Sequence, residues 1–211
     1  MDTISTSSAA QDESATYLAA SPFTRAAVLA RPCPVPAAPG VYGWWFREVP
    51  PGINTAGCAE KDGLTLLYTG ISPSAPPANG KAPSKQNIRS RLRTHYTGNA
   101  EGSTLRKTLG CLMSDQLGLE LRRVGSGNRR TFVTGEKILS EWMAENALVS
   151  WVLHPEPWVL EHQLISSLDV PLNLDTNAHN SFYPTLKAVR RAAVVRANEL
   201  PVVPNPGVGG K

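Results

Sequence analysis

The 211-residue sequence has little of what marks a disulfide-rich, zinc-binding or membrane-spanning protein. Its three cysteines form no Cys-x-x-Cys pair, which excludes a disulfide framework or a cysteine-rich zinc site and predicts reduced thiols. No apolar run approaches the roughly 18 residues that a membrane span needs. The first basic residue is Arg25, so the N-terminus lacks the positive start of a secretory signal. These absences predict a soluble, cytoplasmic protein that does not associate with membranes.

Motifs of several common enzyme classes are missing as well. The segment 125–137 contains Gly-Glu-Lys, but not with the G-x-x-x-x-G-K-[ST] spacing of a P-loop. There is no G-x-S-x-G, and none of the four histidines has zinc-type spacing with a cysteine. A phosphate-binding P-loop, an α/β-hydrolase serine and a His/Cys zinc site are therefore excluded as explanations of function.

Positive charge is present but unevenly distributed. The formal net charge is +4, whereas residues 81–130 alone hold 11 Lys and Arg against 3 Asp and Glu, an excess of 11 − 3 = 8. A concentrated positive field favours a polyanionic partner, and nucleic acid is the commonest one. A solvated basic surface explains the charge equally well, so composition alone leaves both interpretations open.

Apolar patterning predicts a chain of mixed strands and helices. GVYGWWF (40–46) and LTLLYTG (64–70) are typical of buried strands and are expected to pair as an antiparallel hairpin. LELRRV (119–124) alternates like a half-buried strand with RTFV pairing back across a basic turn, while LVSWVL (148–153) fits a strand or a helix end. Helices are expected over 84–96, over 104–117, around 138–143, over 158–168 and from 184 onward.

The ends of the chain differ in composition from its middle. Residues 1–33 are expected to be an N-terminal extension, disordered up to residue 13 and then carrying short helices. A proline-rich linker, RPCPVPAAPG (31–40), leads into a domain that we place at 34–198. Residues 72–83 form a predicted mobile Pro/Gly loop, and residues 199–211 are expected to be a flexible tail.

Glu161 stands out because it shares one face of its predicted helix with Trp158, Ile165 and Leu168. A carboxylate inside an apolar stripe is costly unless it is paired or bound to a metal. It is therefore either a residue at the rim of the stripe or a functional carboxylate, and periodicity does not choose between the two.

Four further residues carry chemistry that their spacing alone does not settle. Arg91 and His95 are four apart, so they project from one face of a helix, an arrangement that suits a phosphate but also an exposed basic surface. Tyr42 and Tyr68 each lie in a predicted core strand beside glycine, where tyrosines usually serve packing.

Taken in order, these residues resemble the GIY-YIG nuclease superfamily. The resemblance is carried by Gly40-Val41-Tyr42, Tyr68-Thr69-Gly70, Ser90-Arg91-Leu92-Arg93-Thr94-His95-Tyr96, Glu161-His162-Gln163-Leu164-Ile165 and Pro171-Leu172-Asn173. It covers about 40–190, and the spacing from Glu161 to Asn173 is its most specific part. Thr69 departs from the family's usual Tyr-Ile-Gly. The long connections and the segment 173–190 are similar to the restriction-endonuclease-like branch.

The resemblance implies an α+β fold, with a small antiparallel sheet of about three core strands flanked by helices. It also implies a divalent-metal-dependent DNA endonuclease, serving restriction or DNA repair, with catalytic residues Tyr42, Tyr68, Arg91, His95, Glu161 and Asn173. Glu161 would hold one Mg²⁺ (or Mn²⁺) per active site, with water as the other ligands. Arg91 would clamp the scissile phosphate, and Asn173 would hold local geometry.

Tyr42 is the general base that the resemblance implies, and a free tyrosine with a pKa near 10 needs help to act near neutral pH. Arg91, Tyr68 or His95 could supply that help, and the sequence leaves the choice open. Phosphate contacts are expected from the basic residues Arg89, Arg93, Arg122, Arg123, Arg129, Arg130, Lys187 and Arg190, although a solvated hairpin accounts for those of 122–130 nearly as well.

Two functions of different classes fit these expectations. The first is an active DNA endonuclease, which would act as a homodimer on DNA if it cuts both strands. The second is a catalytically inactive, nuclease-derived DNA-binding or interaction module. The retained carboxylate at Glu161 favours the first, because a module that no longer cuts has no physical need for it.

Overall fold

The structure of the protein is a computed structural model that describes residues 3–79 and 84–205. Its helices are α1 (Thr3–Ala19), α2 (Arg25–Leu29), α3 (Ile88–Thr97), α4 (Thr104–Leu112), α5 (Ser114–Leu117), α6 (Gly135–Asn146), α7 (Pro157–Ser167) and α8 (Tyr183–Glu199). Its strands are β1 (Gly40–Phe46), β2 (Glu60–Lys61), β3 (Leu64–Ser72), β4 (Arg122–Val124), β5 (Arg129–Thr131) and β6 (Ala147–Leu153). The fold is α+β, as expected.

Four strands form an antiparallel sheet in the order β2-β3-β1-β6. Since β2 has only two residues, the sheet has three substantial strands, with the fully buried β1 at its centre. The hairpin of β1 and β3 is confirmed, and the ambiguous segment 148–153 is a strand. A second, two-stranded sheet consists of β4 and β5, although β4 begins at Arg122 and not at residue 119 as expected.

Helices cover both faces of the larger sheet. Successive side chains of β1 point to opposite faces, and since all of them are buried, each face needs a covering layer. Tyr42, Trp44 and Phe46 belong to one apolar cluster, which includes residues of α3, α4 and α6. Val41 and Trp45 belong to the other, which includes residues of α1 and α7. The strand is therefore apolar throughout because neither face meets solvent.

A β-bulge interrupts the pairing of β1 with β3 just before Tyr68-Thr69-Gly70. Trp44 pairs with Tyr68 and Trp45 with Leu66, which leaves Leu67 as the extra residue. A bulge re-aims the side chains that follow it. After the bulge, Tyr68 joins the apolar cluster of Tyr42, while Thr69 turns to the opposite face.

Helix α3 shows how local sequence sets an element of the site. Ile88, Leu92 and Tyr96 recur on one face and are fully buried. The helix begins later than the expected Ser84, because Asn87 caps it in a capping box with Ser90. Between these buried positions, Arg91 and His95 both reach the Tyr42 hydroxyl on the central strand β1.

The N-terminal extension carries two helices, α1 (Thr3–Ala19) and α2 (Arg25–Leu29), and its expected division into a disordered start and short helices stays a prediction. The C-terminal end of α1 is held by Lys61, whose ammonium donates to the carbonyls of Leu18, Ala19 and Ala20 at 2.9, 2.6 and 3.2 Å.

The start of the C-terminal tail is also bound to the domain. Val203 pairs with β4 through backbone hydrogen bonds to Arg123 and Gly125, each 3.0 Å long. The predictions made for residues 1–2, 80–83 and 206–211 lie outside the described residues. Within the described residues, no helix is both long and apolar enough to cross a membrane.

Candidate active site

Five of the six predicted catalytic residues line one cavity of about 570 Å³. They are Tyr42, Tyr68, Arg91, Glu161 and Asn173. They come from β1, β3, α3, α7 and the loop after α7, and they span positions 42 to 173 of the chain. The cavity therefore brings together phenols, a guanidinium and a carboxylate that lie far apart in sequence.

His95, the sixth predicted residue, does not line the cavity. Its side chain is fully buried behind Tyr42, and its Nε2 lies 2.9 Å from the Tyr42 hydroxyl oxygen. Its Nδ1 lies 2.7 Å from Ser103 Oγ, at the N-cap of α4. His95 can therefore act on a bound molecule only through Tyr42.

A chain of hydrogen bonds runs from Arg91 through Tyr42 and His95 to Ser103. Arg91 Nε can only donate, so at 3.4 Å it donates to the Tyr42 oxygen. The direction of the next two bonds depends on the tautomer of His95. With the proton on Nδ1, His95 donates to Ser103 Oγ and accepts from Tyr42 at Nε2; with the proton on Nε2, both directions are reversed.

The position of Tyr42 depends on Gly70, which lies directly opposite it on β3. A Cβ at residue 70 would come within 2.7 Å of the Tyr42 hydroxyl and 2.8 Å of its ring. Real Cβ atoms do not approach so closely, so glycine is required if the ring is to lie flat on the strand.

The protonation states follow from burial. Burial raises the pKa of Tyr42 to about 12, although the charge and hydrogen bond of Arg91 act in the opposite direction. Burial lowers the pKa of His95 well below its usual value, and the nearby charges of Arg91 and Arg106 lower it further. Near neutral pH the pair therefore consists of a protonated phenol and a neutral imidazole.

Glu161 lies on α7 and faces the cavity together with Ile165, as the helical pattern suggested. Burial and the charge of Asp175 raise the pKa of its carboxyl to about 7, while Arg91 acts to lower it. Asp175 lines the same cavity. Two carboxylates thus line one partly buried space, and no ion pair to the carboxylate of Glu161 occurs among the residues that the structure describes.

Asn173 links the loop after α7 to β3. Its side-chain Oδ1 accepts a hydrogen bond from Thr69 N at 2.9 Å, and its Nδ2 donates to Thr69 O at 2.7 Å. The amide thus pairs with β3 much as a neighbouring strand would, and the backbone N–H of Leu172 adds a bond to Leu67 O at 2.9 Å. Asn173 therefore fixes the strand between Tyr68 and Gly70.

The structure divides the eight basic residues that were predicted to bind nucleic acid. Three of them bind the end of α8 and its continuation: Arg123 donates to the carbonyls of Ala197 and Leu200, Arg122 to that of Pro201, and Arg130 to Asn198 Oδ1. Arg89 donates to the carbonyl of Val35 at 2.6 Å and so holds the proline-rich segment. These four arginines have structural partners within the chain.

The other four basic residues remain available to a ligand. Arg190 lines the cavity and also donates to Thr108 Oγ1 at 3.3 Å. Arg93 and Arg129 line a neighbouring groove of about 580 Å³. The groove also includes Gly102, whose carbonyl accepts a hydrogen bond from Arg91 Nη1 at 3.1 Å, so the groove adjoins the cavity. Lys187 is exposed on α8.

Sequence reasoning missed four residues of this region. Asp175 follows Asn173 by two positions, and only its proximity to Glu161 reveals it. Ser103 precedes the helix that was expected over 104–117, but nothing in the sequence indicates its contact with His95. Tyr17 and Arg106 carried no motif that could have identified them: Tyr17 is buried against Thr69, and Arg106 pairs with Glu136 at 2.7 Å beneath His95.

Comparison with known protein families matches residues 40–192 to the GIY-YIG catalytic domain. The match includes all five segments on which the resemblance was based and every residue of the site except those supplied by α1. No curated protein and no solved structure matches the chain. Since the matched segment covers most of the 211 residues, the chain belongs to the GIY-YIG nuclease superfamily.

Proposed function

We propose that the protein is a divalent-metal-dependent DNA endonuclease that hydrolyses phosphodiester bonds in the cavity of Tyr42, Arg91 and Glu161. The observation that carries the proposal is the convergence of these three side chains on one cavity, together with Tyr68 and Asn173. Hydrolysis of a phosphodiester needs a base for water, a cation for the phosphate and a stabiliser for the leaving oxygen. The cavity offers a candidate for each.

The cavity residues fit a divalent cation held by oxygen. Glu161 is a desolvated carboxylate beside a second one, Asp175, and a bound cation would relieve both the burial and the repulsion. Among the described residues no group of three or more His, Cys, Asp or Glu side chains could hold a metal. Water and phosphate oxygens would therefore complete the coordination. Mg²⁺ is usually bound in this way in proteins, and the same ligands also suit Mn²⁺.

Glu161 would hold the cation, and Asp175, which lines the same cavity, would act through a bound water. When bound, the cation would stabilise negative charge on the phosphate and the leaving oxygen. Protons compete for the Glu161 carboxylate below its raised pKa of about 7. Metal affinity should therefore rise as the pH increases toward 7 and level off above it.

Arg91 is the proposed phosphate clamp. Its Nε and Nη1 bond to Tyr42 and to the Gly102 carbonyl, which orient the planar guanidinium at the cavity wall. A guanidinium carries five N–H donors, so it can serve this orientation and a phosphate together. Its fixed charge would offset the charge that develops on the phosphate in the transition state.

Tyr42 and His95 together form the proposed general base. With a pKa of about 12, only about one Tyr42 in a hundred thousand is ionised at pH 7, so a free phenolate is a poor candidate. In the tautomer with its proton on Nδ1, the neutral His95 offers Nε2 as an acceptor 2.9 Å from the Tyr42 hydroxyl oxygen. As Tyr42 Oη takes a proton from water, its own proton can move to His95, so no phenolate has to accumulate.

DNA would cross from the cavity into the adjoining groove. Arg93 and Arg129 in the groove, and Arg190 in the cavity, would contact flanking phosphates, with Lys187 farther along α8. Such contacts position the duplex without reading its sequence. Cleavage of both strands would take two copies of the chain, with one cavity for each strand.

Supercoiled plasmid distinguishes the proposal from an inactive DNA-binding module. We expect the purified protein to nick or linearise the plasmid with Mg²⁺ or Mn²⁺, and to leave it intact in EDTA. Plasmid that is retarded in a gel but stays uncut with either metal would support the inactive module. Cleavage that persists in EDTA would remove the metal from the mechanism.

A further inference from the structure

The N-terminal helix α1 lies outside the segment that matches the GIY-YIG catalytic domain, yet it reaches the centre of the sheet. Tyr17, near its end, is fully buried, and its hydroxyl lies 2.8 Å from Thr69 Oγ1. Thr69 is fully buried as well. A hydroxyl pair in such surroundings is costly to leave unpaired, so the two side chains depend on each other.

Thr69 lies on β3 between two residues that shape the cavity. It stands between Tyr68, which lines the cavity, and Gly70, on which the Tyr42 ring lies. Its backbone N–H and C=O are both bonded to the Asn173 amide. With Tyr17 holding the side chain and Asn173 the backbone, Thr69 is fixed from two sides.

The neighbouring strand is shaped to admit the Tyr17 hydroxyl. Gly43 lies opposite Thr69, and a Cβ at Gly43 would come within 2.5 Å of the Tyr17 oxygen. Three residues therefore form this contact together: Gly43 leaves room for the hydroxyl of Tyr17, and Thr69 forms the hydrogen bond with it. The threonine stands where the family usually has an isoleucine, which could not make this bond.

We propose that Tyr17 is a positioning residue for the active site, acting through Thr69 to hold Tyr68 and Gly70 in place. Tyr17 is fully buried and is not among the residues that line the cavity. It sets the part of β3 against which Tyr42 is placed. The inference rests on the proposed nuclease function for its consequence on cleavage, but the contact itself can be tested without it.

The test compares Tyr17→Phe with Tyr96→Phe. Tyr96 is a matched control, because it is also fully buried and its hydroxyl donates a 2.8 Å hydrogen bond, to the Ala147 carbonyl on the far side of the sheet from Thr69. Both variants lose one buried tyrosine hydroxyl bond, so both should lower Tm to a similar extent. Assays run well below both Tm values remove unfolding as a cause.

We expect Tyr17→Phe to lower kcat for DNA cleavage about tenfold with KM unchanged, because small misplacement of reacting groups costs rate rather than binding. Tyr96→Phe should keep the kcat of the wild type. In a double-mutant cycle, adding Thr69→Val to Tyr17→Phe should cause little further loss, since both changes remove the same bond. Equal kcat values for the two tyrosine variants would overturn the proposal.

Amide hydrogen exchange gives a readout that does not require cleavage. Tyr17→Phe should speed exchange of the Thr69 amide, which donates to Asn173, at least tenfold more than Tyr96→Phe does. Equal exchange in the two variants would contradict the positioning role. If the wild type does not cut DNA at all, the proposed function fails, and this exchange comparison still decides whether Tyr17 holds Thr69.

Discussion

Helix α3 and the β4–β5 hairpin are both rich in arginine, but the arginines have different partners in the two regions. Arg91 on α3 faces the cavity and contacts Tyr42 at the wall where a phosphate would bind. Arg122, Arg123 and Arg130 on the β4–β5 hairpin point back into their own chain and bond to the end of α8 and its continuation. Both groups contribute to the same local excess of positive charge in the sequence.

The difference between them is the acceptor that each arginine finds. The last carbonyls of a helix lack intrahelical partners and carry partial negative charge. An arginine near that end therefore readily donates its hydrogen bonds to these carbonyls. At the cavity Arg91 donates, among the described residues, only to the Tyr42 hydroxyl and the Gly102 carbonyl, and a guanidinium has five N–H donors, so others remain for a ligand. Positive charge in the sequence therefore predicts a polyanion-binding surface only where the fold leaves some of the donors without acceptors.

The largest contrast should appear when one arginine from each region is removed. Arg91→Ala should lower kcat about a thousandfold, because the mutation removes the charge that stabilises the phosphate in the transition state. Arg123→Ala should leave kcat unchanged and lower the free energy of unfolding by about 1–2 kcal/mol, through two lost bonds to helix carbonyls. Cleavage kinetics and urea unfolding on both variants measure this. A large loss of kcat in Arg123→Ala would contradict the claim that the arginines of the hairpin serve the fold and not the reaction.

Glycines in the two regions provide the next contrast. Gly70→Ala should push the Tyr42 ring away and lower kcat about a hundredfold, while DNA affinity in EDTA stays the same. Gly127→Ala in the hairpin introduces a side chain at φ +85°, which strains the backbone at a residue that does not line the cavity. It should reduce Tm and leave kcat intact. Single-turnover cleavage below both Tm values tests this, and equal rates for the two variants would refute it.

A smaller effect is expected in the groove beside the cavity. The double variant Arg93→Ala/Arg129→Ala should weaken DNA binding about tenfold near physiological salt and reduce the slope of log K against log salt by about 2. Arg123→Ala should leave that slope unchanged. Fluorescence anisotropy in EDTA at several salt concentrations measures both. An unchanged slope in the double variant would place the DNA elsewhere.

Local elements and the convergence of five residues on one cavity could be predicted, but the hydrogen-bond partners of these residues could not. The apolar runs of β1 and β3 and the spacing of Ile88, Leu92 and Tyr96 identify strands and a helix, since periodicity reports burial directly. The bulge at Leu67 leaves no trace in such a pattern, because it depends on how two strands pair. The partner of Thr69 is likewise invisible from β3 alone.

Long-range polar pairs were the main omission. Arg106 is fully buried and bonds to Glu136, 30 residues away, while its Nη1 also reaches the His95 carbonyl at 3.2 Å. In the sequence both look like ordinary surface charges on helices. Only tertiary packing shows that the pair is buried, and a buried charge without its partner would strongly destabilise the fold.

The smallest expected effect is a pH dependence of the free energy of unfolding, which comes from His95 beside the cavity and not from the arginines of the hairpin. His95 has a lowered pKa in the folded state, so the unfolded chain takes up a proton first as the pH falls below about 6.5. The stability supplied by the neutral imidazole is complete above that pH and should be lost at up to about 1.4 kcal/mol per pH unit below it. His95→Gln should flatten this dependence, whereas Arg123→Ala should not. Urea unfolding from pH 5 to 8 would show it, and parallel curves for wild type and His95→Gln would contradict it.

Glu161→Gln tests the central claim most directly, since it removes the proposed metal ligand with almost no change in shape. Cleavage of supercoiled plasmid by the wild type and by this variant should be followed across a series of Mg²⁺ and Mn²⁺ concentrations, with gel retardation in EDTA to confirm that both bind DNA. The account predicts metal-dependent cleavage by the wild type and intact, retarded plasmid with Glu161→Gln. Full metal-dependent cleavage by Glu161→Gln would contradict it.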